Sequence, residues 1–146
     1  MAARVLVIDD EGPIRLLCRV NLEAAGMVVD EAANGATGIE AARRERPDVI
    51  LLDVMMPGID GWDVFGELVK DERTATIPVV FLTARAELRD QARGLELGGV
   101  DYVTKPFDPL ELAPLIEDLL ERIERGDVHE RRRERLTELK ELLING

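Results

Sequence analysis

Val49-Ile50-Leu51-Leu52 runs without a break into a lone carboxylate, Asp53, and the chain then turns through Pro57-Gly58 and Asp60-Gly61. A short apolar run bounded by turn residues predicts a strand buried on both faces, the pattern of a parallel sheet covered by helices. Asp53 is thereby expected at the carboxyl end of an inner strand, where open α/β sheets hold their ligands.

The same signal recurs. Arg4-Val5-Leu6-Val7-Ile8 is a second β-branched run, and it ends in Asp9-Asp10-Glu11. Pro13 opens a helix in its first turn, where a missing N–H costs nothing. Ile14, Leu17, Cys18, Leu22 and Ala25 follow at helical spacing, and Gly26 stops the helix. Met27 to Ala32 predicts a weaker strand nearer an edge, Asn34-Gly35 a turn, and Ile39 to Arg46 a helix halted by Pro47. Trp62 to Val69 predicts a helix burying Trp62, Phe65, Leu68 and Val69. Pro78 to Leu82 is a fourth strand ending at Thr83. Residues 86–97 form a helix turning Leu88, Ala92, Leu95 and Leu97 inward, and Val100 to Thr104 is a strand delivering Lys105-Pro106. Asp108, Pro109 and Glu111 have the spacing of an N-cap, a first-turn proline and a capping box for a last amphipathic helix. Pro114 falls inside that helix, where it deletes a bond to Leu110.

Five strands alternating with five helices demand right-handed crossovers. The expected fold is a flavodoxin-like, doubly wound α/β domain with a five-stranded parallel sheet in the order 2-1-3-4-5. The first and third strands are neighbours in that order, so Asp9, Asp10 and Asp53 converge in one crevice. With 146 residues the chain has room for one such domain, residues 1–124, and a short C-terminal helical extension, residues 125–146.

Charge and cysteine content narrow the function. The extension carries six basic and five acidic residues, a net of +1, which leaves −12 of the total −11 on residues 1–124. A body this acidic disfavours direct nucleic-acid binding and suits cations or basic partners. No apolar run reaches the ~20 residues of a membrane span, and no signal-peptide pattern opens the chain, so a cytoplasmic location is expected. The single Cys18 lies on an apolar helix stripe and reads as core. The single His129 lies in a charged run and reads as solvated.

The expected strand tips present Asp9, Asp10, Asp53, Thr83 and Lys105 at one sheet edge. Three carboxylates held together are driven toward protonation unless a cation neutralises them. An all-oxygen site with positions left for water describes Mg²⁺, or Mn²⁺ in its place. Lys105 supplies a point charge and Thr83 a hydroxyl for phosphate oxygens, and a carboxylate in that company can attack a phosphoryl group. Singly, each residue has a plainer role. The Asp9-Asp10 pair could serve a helix dipole, Thr83 could cap the next helix, and Lys105 could be a surface lysine.

Together, Asp9-Asp10, Asp53 with Met56-Pro57 and Asp60-Gly61, Thr83-Ala84, and Lys105-Pro106-Phe107 resemble the receiver domain of two-component response regulators, over residues 4 to about 124. The resemblance implies that Asp53 is phosphorylated by a histidine kinase or a histidine phosphotransfer protein. It implies that Asp10, Asp53 and the Met55 backbone carbonyl ligate Mg²⁺ while Asp9 holds the metal's water shell. Thr83 and Lys105 would grip the phosphoryl group, and Met55 and Arg85 would flank the path of attacking water. Thr83 and Tyr102 would act as the switch, altering the face built from the fourth helix, fifth strand and fifth helix for a downstream partner or self-dimer. Tyr102 could also be a plain core or surface aromatic. The Lys105-Pro106 bond is expected to be cis.

Val100 and Leu115 stand where winged-helix regulators of this family place charges for their dimer contact, which argues against that dimer mode. A true hydrolase resembling the haloacid dehalogenase family needs Asp-x-Asp on the first strand, whereas Asp9 and Asp10 are adjacent. The expected protein is therefore a switch rather than a turnover enzyme. In the extension, Asp127 and Glu130 suggest a new N-cap, followed by the charged run His129 to Arg135 and then Leu136, Leu139, Leu142 and Leu143. That stretch reads as a mostly solvated helix whose last turns pack or fray, as a short helix for self-association or docking, or as a linker from a longer regulator. It is too short to form a DNA-binding domain.

Overall fold

The computed structural model describes residues 2–84 and 88–145. Strands β1 (Arg4–Ile8), β2 (Val28–Ala32), β3 (Val49–Asp53), β4 (Val79–Ala84) and β5 (Asp101–Lys105) form one sheet in the order β2-β1-β3-β4-β5, with every neighbouring pair parallel. Helices α1 (Gly12–Ala24), α2 (Gly35–Glu45), α3 (Gly61–Lys70), α4 (Leu88–Leu97) and α5 (Pro109–Arg125) connect or follow the strands, and α6 (Val128–Asn145) ends the chain. The flavodoxin-like order expected from the alternation is the one observed.

Two-residue alternation explains why the strands are apolar throughout. Leu6, Ile8, Ile50, Leu52 and Phe81 pack on one side with Ile39 and Ala42 of α2 and Val64, Phe65 and Leu68 of α3. Val5, Val7, Val49, Leu51, Val80 and Leu82 pack on the other with Cys18 and Leu22 of α1 and Leu112, Ile116 and Leu119 of α5. All five residues of β3 are buried, as an inner strand covered twice must be.

Several local expectations shift. Asn34 caps α2 by accepting from the Thr37 N–H at 2.9 Å, and Gly35 is already helical, so Asn34-Gly35 is a helix start rather than a turn. Leu17, Val69 and Leu97 face solvent. Leu17 and Val69 adjoin buried Cys18 and Leu68, and Leu97 stands two residues past buried Leu95, so the buried stripe is narrower than the apolar pattern. Asp108 caps α5 as read, accepting from Leu110 N–H at 3.0 Å, and α5 runs unbroken through Pro114. Asp127 does not act as the side-chain cap of α6; its carboxylate lies 3.5 Å from Arg125. The Lys105-Pro106 bond is cis. The start of the predicted 86–97 helix and Arg85 lie outside the described residues.

Candidate metal and phosphoryl site

Register sets the site. Ile8 lies opposite Leu52, so the residues that follow, Asp9 and Asp53, leave the sheet side by side. Thr83 and Lys105 arrive from β4 and β5 at the same edge, where Ala84 is opposite Lys105. One carboxylate oxygen from each of Asp9, Asp10 and Asp53 lies within 4.8 Å of the others. Asp9 and Asp53 are buried and Asp10 is exposed, so the cluster opens to solvent on one side only.

The loops hold these groups by backbone donors. Asp9 Oδ1 accepts the Glu11 N–H at 2.9 Å, and Asp53 Oδ1 accepts the Met55 N–H at 3.2 Å. The Gly61 N–H donates to the Val54 carbonyl at 2.9 Å, folding the loop after β3 back on itself. A Cβ at Gly61 would stand 2.4 Å from the Asp53 carbonyl oxygen and 2.7 Å from Val54 Cα. Only glycine allows that approach, which gives the Asp60-Gly61 pair a steric meaning beyond a turn. Asp60 itself caps α3, accepting from Asp63 N–H at 2.9 Å.

Lys105 is the cation among these carboxylates. Its Nζ lies 2.8 Å from Asp9 Oδ2, 3.3 Å from Glu11 Oε2 and 3.4 Å from Asp53 Oδ1. Burial alone would lower its pKa, but Asp9, Asp53 and Glu11 outweigh burial and raise it, so the ammonium is firmly charged. One ammonium does not neutralise three clustered aspartates. Burial, then the charge of Asp9, push the Asp53 carboxyl up from 3.8 to about 7 against the opposing pull of Lys105. The donor set is all oxygen, is short of positive charge, and has an open side, so it fits a hard divalent cation. Thr83 Oγ1 is buried and has no hydrogen-bond partner among the described residues. A buried hydroxyl left this way is costly unless an acceptor arrives.

The expected residues Asp9, Asp10, Asp53, Thr83 and Lys105 thus share one sheet edge. Met55 follows in the adjoining loop and is 72% exposed. Tyr102 lies away from the cluster, on β5 opposite Phe81 and half buried. Glu11 was visible in the sequence beside the aspartates, but its contact with Lys105 was not. Cys18 is buried, and burial pushes its thiol up to about 12, which makes it an inert core residue. No helix among the described residues is long and apolar enough to cross a membrane.

Comparison with known proteins converges on one family. The model of the response regulator receiver domain matches residues 5–117. The DNA-binding dual master transcriptional regulator RpaA of Synechocystis is 44% identical over 122 residues, which cover 84% of this chain and 51% of that protein. The phosphate regulon transcriptional regulatory protein PhoB of Escherichia coli is 44% identical over 123 residues, 84% of this chain and 54% of that one. The chain therefore spans about half the length of these curated relatives. Among solved structures, a putative response regulator from Chloroflexus aurantiacus superposes with a TM-score of 0.78 at 31% identity, covering 84% of this chain and all of that one. The chemotaxis protein CheY4 of Vibrio cholerae gives 0.75 at 29% identity, covering 81% and 98%.

Proposed function

The chain belongs to the response regulator receiver domain family, and on that footing we propose that Asp53 accepts a phosphoryl group from a histidine kinase or phosphotransfer protein, with Mg²⁺ (or Mn²⁺) bound beside it. The observation that carries this reading is a cluster of three aspartates, two of them paired with one ammonium, at the sheet edge that also carries a buried hydroxyl with no partner among the described residues. Asp10, Asp53 and the Met55 carbonyl would hold the ion directly, and Asp9 would hold its waters. Bound there, the ion supplies positive charge that keeps Asp53 ionised and offsets charge on the transferring oxygens.

The chain's own residues do the rest. An Asp53 carboxylate oxygen attacks phosphorus; the new P–O bond forms as the P–N bond to the donor imidazole breaks, its electron pair staying on nitrogen. Lys105, already 3.4 Å from Asp53, is placed to pair with the incoming phosphoryl oxygens, and the Thr83 hydroxyl gains an acceptor. The Met55 N–H fixes one Asp53 oxygen, leaving the other to react. The result is a switch that catalyses only the writing and loss of its own mark, with Thr83 and Tyr102 carrying the change to the face of α4, β5 and α5. A cytoplasmic location and a downstream protein partner fit this role. The half-length match supports a second reading, in which these residues are the receiver part of a longer transcription factor or signalling enzyme.

Acetyl phosphate with Mg²⁺ should add one phosphoryl mass to the chain, at Asp53. Undiminished labelling of Asp53→Asn, or equal labelling in excess EDTA, would sink this assignment.

A further inference from the structure

The alternation of strands and crossovers accounts for five helices; α6 is additional, and it lies against α4 and α5 beside the edge strand β5. Apolar packing, ion pairs and a cation–ring contact hold it. Leu139 is buried with Ala92 and Leu95 of α4, ringed by Leu88, Leu136 and Tyr102. Asp101 of β5, fully buried, takes Arg131 and Arg135 as its charge partners, the latter at 3.2 Å. Arg131 also lies 3.4 Å from Asp118 of α5, and Lys140 lies 3.4 Å from Glu96 of α4, so the helix is tied to both flanks. The Arg135 guanidinium sits 4.6 Å above the centre of the Tyr102 ring.

We propose that α6 is a built-in strap over the face formed by α4, β5 and α5, clipped to Asp101 by Arg131 and Arg135, and that a phosphoryl group on Asp53 loosens it. The proposal rests on the acceptor reading for its trigger, not for the clip. The hold is strong at one point and weak elsewhere. Among the described α6 residues Leu139 is the one fully buried side chain, while Leu142, Leu143 and Ile144 face solvent. A helix held by one fully buried leucine, partly buried Val128 and Leu136, and ion pairs can leave without unfolding the sheet.

Geometry links the clip to the acceptor. Phe81 pairs with Tyr102 and Thr83 with Thr104, so Thr83 and Tyr102 are diagonal neighbours on one sheet face. The unpartnered Thr83 hydroxyl turns toward the phosphoryl group once one is present. That movement frees space beside Tyr102. A ring drawn inward leaves Arg135 and Leu136 without the surface they cover. Arg135 serves both Tyr102 and Asp101, so one displacement weakens both holds. Any partner for this face, including a second copy, must first displace α6.

Hydrogen exchange read by mass spectrometry on the full chain in Mg²⁺, with and without beryllofluoride, tests the strap. Amides of residues 128–144 should exchange at least ~10-fold faster with beryllofluoride, as expected for release of a local unit. Asp53→Asn should not respond. The double variant Arg131→Gln/Arg135→Gln should show the fast exchange without beryllofluoride, with β1 and β3 still protected. Should that variant fail to fold, Asp101→Asn opens the same clip without stranding a buried charge and must give the same result. Unchanged or slower α6 exchange in beryllofluoride, while acetyl phosphate labels Asp53, overturns the strap. Unchanged exchange in the clip variants overturns the clip. Absence of any Asp53 label counts against the acceptor reading, and the clip variants then decide the clip alone.

Discussion

Two buried charge clusters sit a short distance apart in this molecule, and they are balanced in opposite ways. At the strand tips, Asp9 and Asp53, clustered with Asp10, share one ammonium, with Glu11 competing for it. At the β5 edge, the single buried carboxylate of Asp101 meets two guanidinium groups, each of which also reaches one exposed carboxylate, Asp118 or Glu138. The first cluster is short of positive charge and open to solvent through Asp10; the second is satisfied and closed. Buried ionic groups that lack a partner are unstable until something arrives, whereas a closed pair holds its elements in place. The difference separates a cluster poised to take up a cation from one that fastens, although both are built from aspartates at strand residues.

The sharpest way to break this comparison is to unbalance each cluster and ask whether Mg²⁺ repairs it. Replacing Arg131 and Arg135 with Gln leaves the buried Asp101 carboxyl without its charge partners. Losing one side of a buried pair costs roughly 3–5 kcal/mol, and denaturant unfolding should show a loss near the lower figure because α6 can move away. Millimolar Mg²⁺ should recover none of that difference. Replacing Lys105 with Met strips Asp9 of its cation and should cost about 2 kcal/mol in EDTA, reduced because Lys105 is partly exposed. Here Mg²⁺ should restore most of the loss, since an ion that binds only the native state stabilises it by mass action. Equal rescue of the two variants would erase the distinction between site and fastener.

The two clusters also differ in how plainly the sequence announced them. Asp9-Asp10, Asp53 and Thr83 each follow an apolar run, Lys105 ends a shorter mixed strand, and a parallel sheet brings the ends of its strands to one edge. Period-two burial and the 2-1-3-4-5 order therefore place them together before any coordinates exist. The clip had a fainter signal. Asp101 interrupts an apolar strand between Val100 and Tyr102, and Arg131 and Arg135 are four apart, hence on one helix face. The run from His129 to Arg135 reads as solvated because composition cannot say that two of its arginines meet a buried carboxylate 30 and 34 residues earlier. Exposed Leu17, Val69 and Leu97 illustrate the complementary failure: an apolar residue at the margin of a stripe is free to face water.

Gly61→Ala perturbs the strand-tip site without touching its charges. The added methyl meets the Asp53 carbonyl at 2.4 Å, backbone rather than a flexible side chain, so the loop after β3 must shift. Overpacking of this kind costs roughly 1–3 kcal/mol, and the displaced Asp53 should weaken Mg²⁺ binding measured by calorimetry. Exchange of α6 without beryllofluoride should stay as in the parent, because Asp101 and Tyr102 are untouched. A strap loosened by Gly61→Ala would mean that the two clusters are coupled even without a phosphoryl group.

The smallest effect is the one that titrates. In metal-free buffer the Asp53 carboxyl is raised from an unfolded value near 3.8 to about 7, by burial and by Asp9. The folded chain then holds a proton that the unfolded chain has released over that interval, so this group lowers stability progressively from about pH 4 to pH 7 and by a constant amount above it. Asp53→Asn removes the penalty. A pKa shift of that size corresponds to at most ~4 kcal/mol, cut to about 1 kcal/mol here because water and counter-ions reach the metal-free cluster past exposed Asp10. The variant's melting temperature in EDTA should therefore exceed the parent's by ~3 °C at pH 8, and the gain should shrink toward zero by pH 4. Saturating Mg²⁺ should reverse the order at pH 8, because the ion stabilises the parent through Asp53 and has fewer ligands in the variant. A gain that persists unchanged at pH 4 would trace to packing instead, and the strand-tip cluster would then be as well balanced as the clip on Asp101.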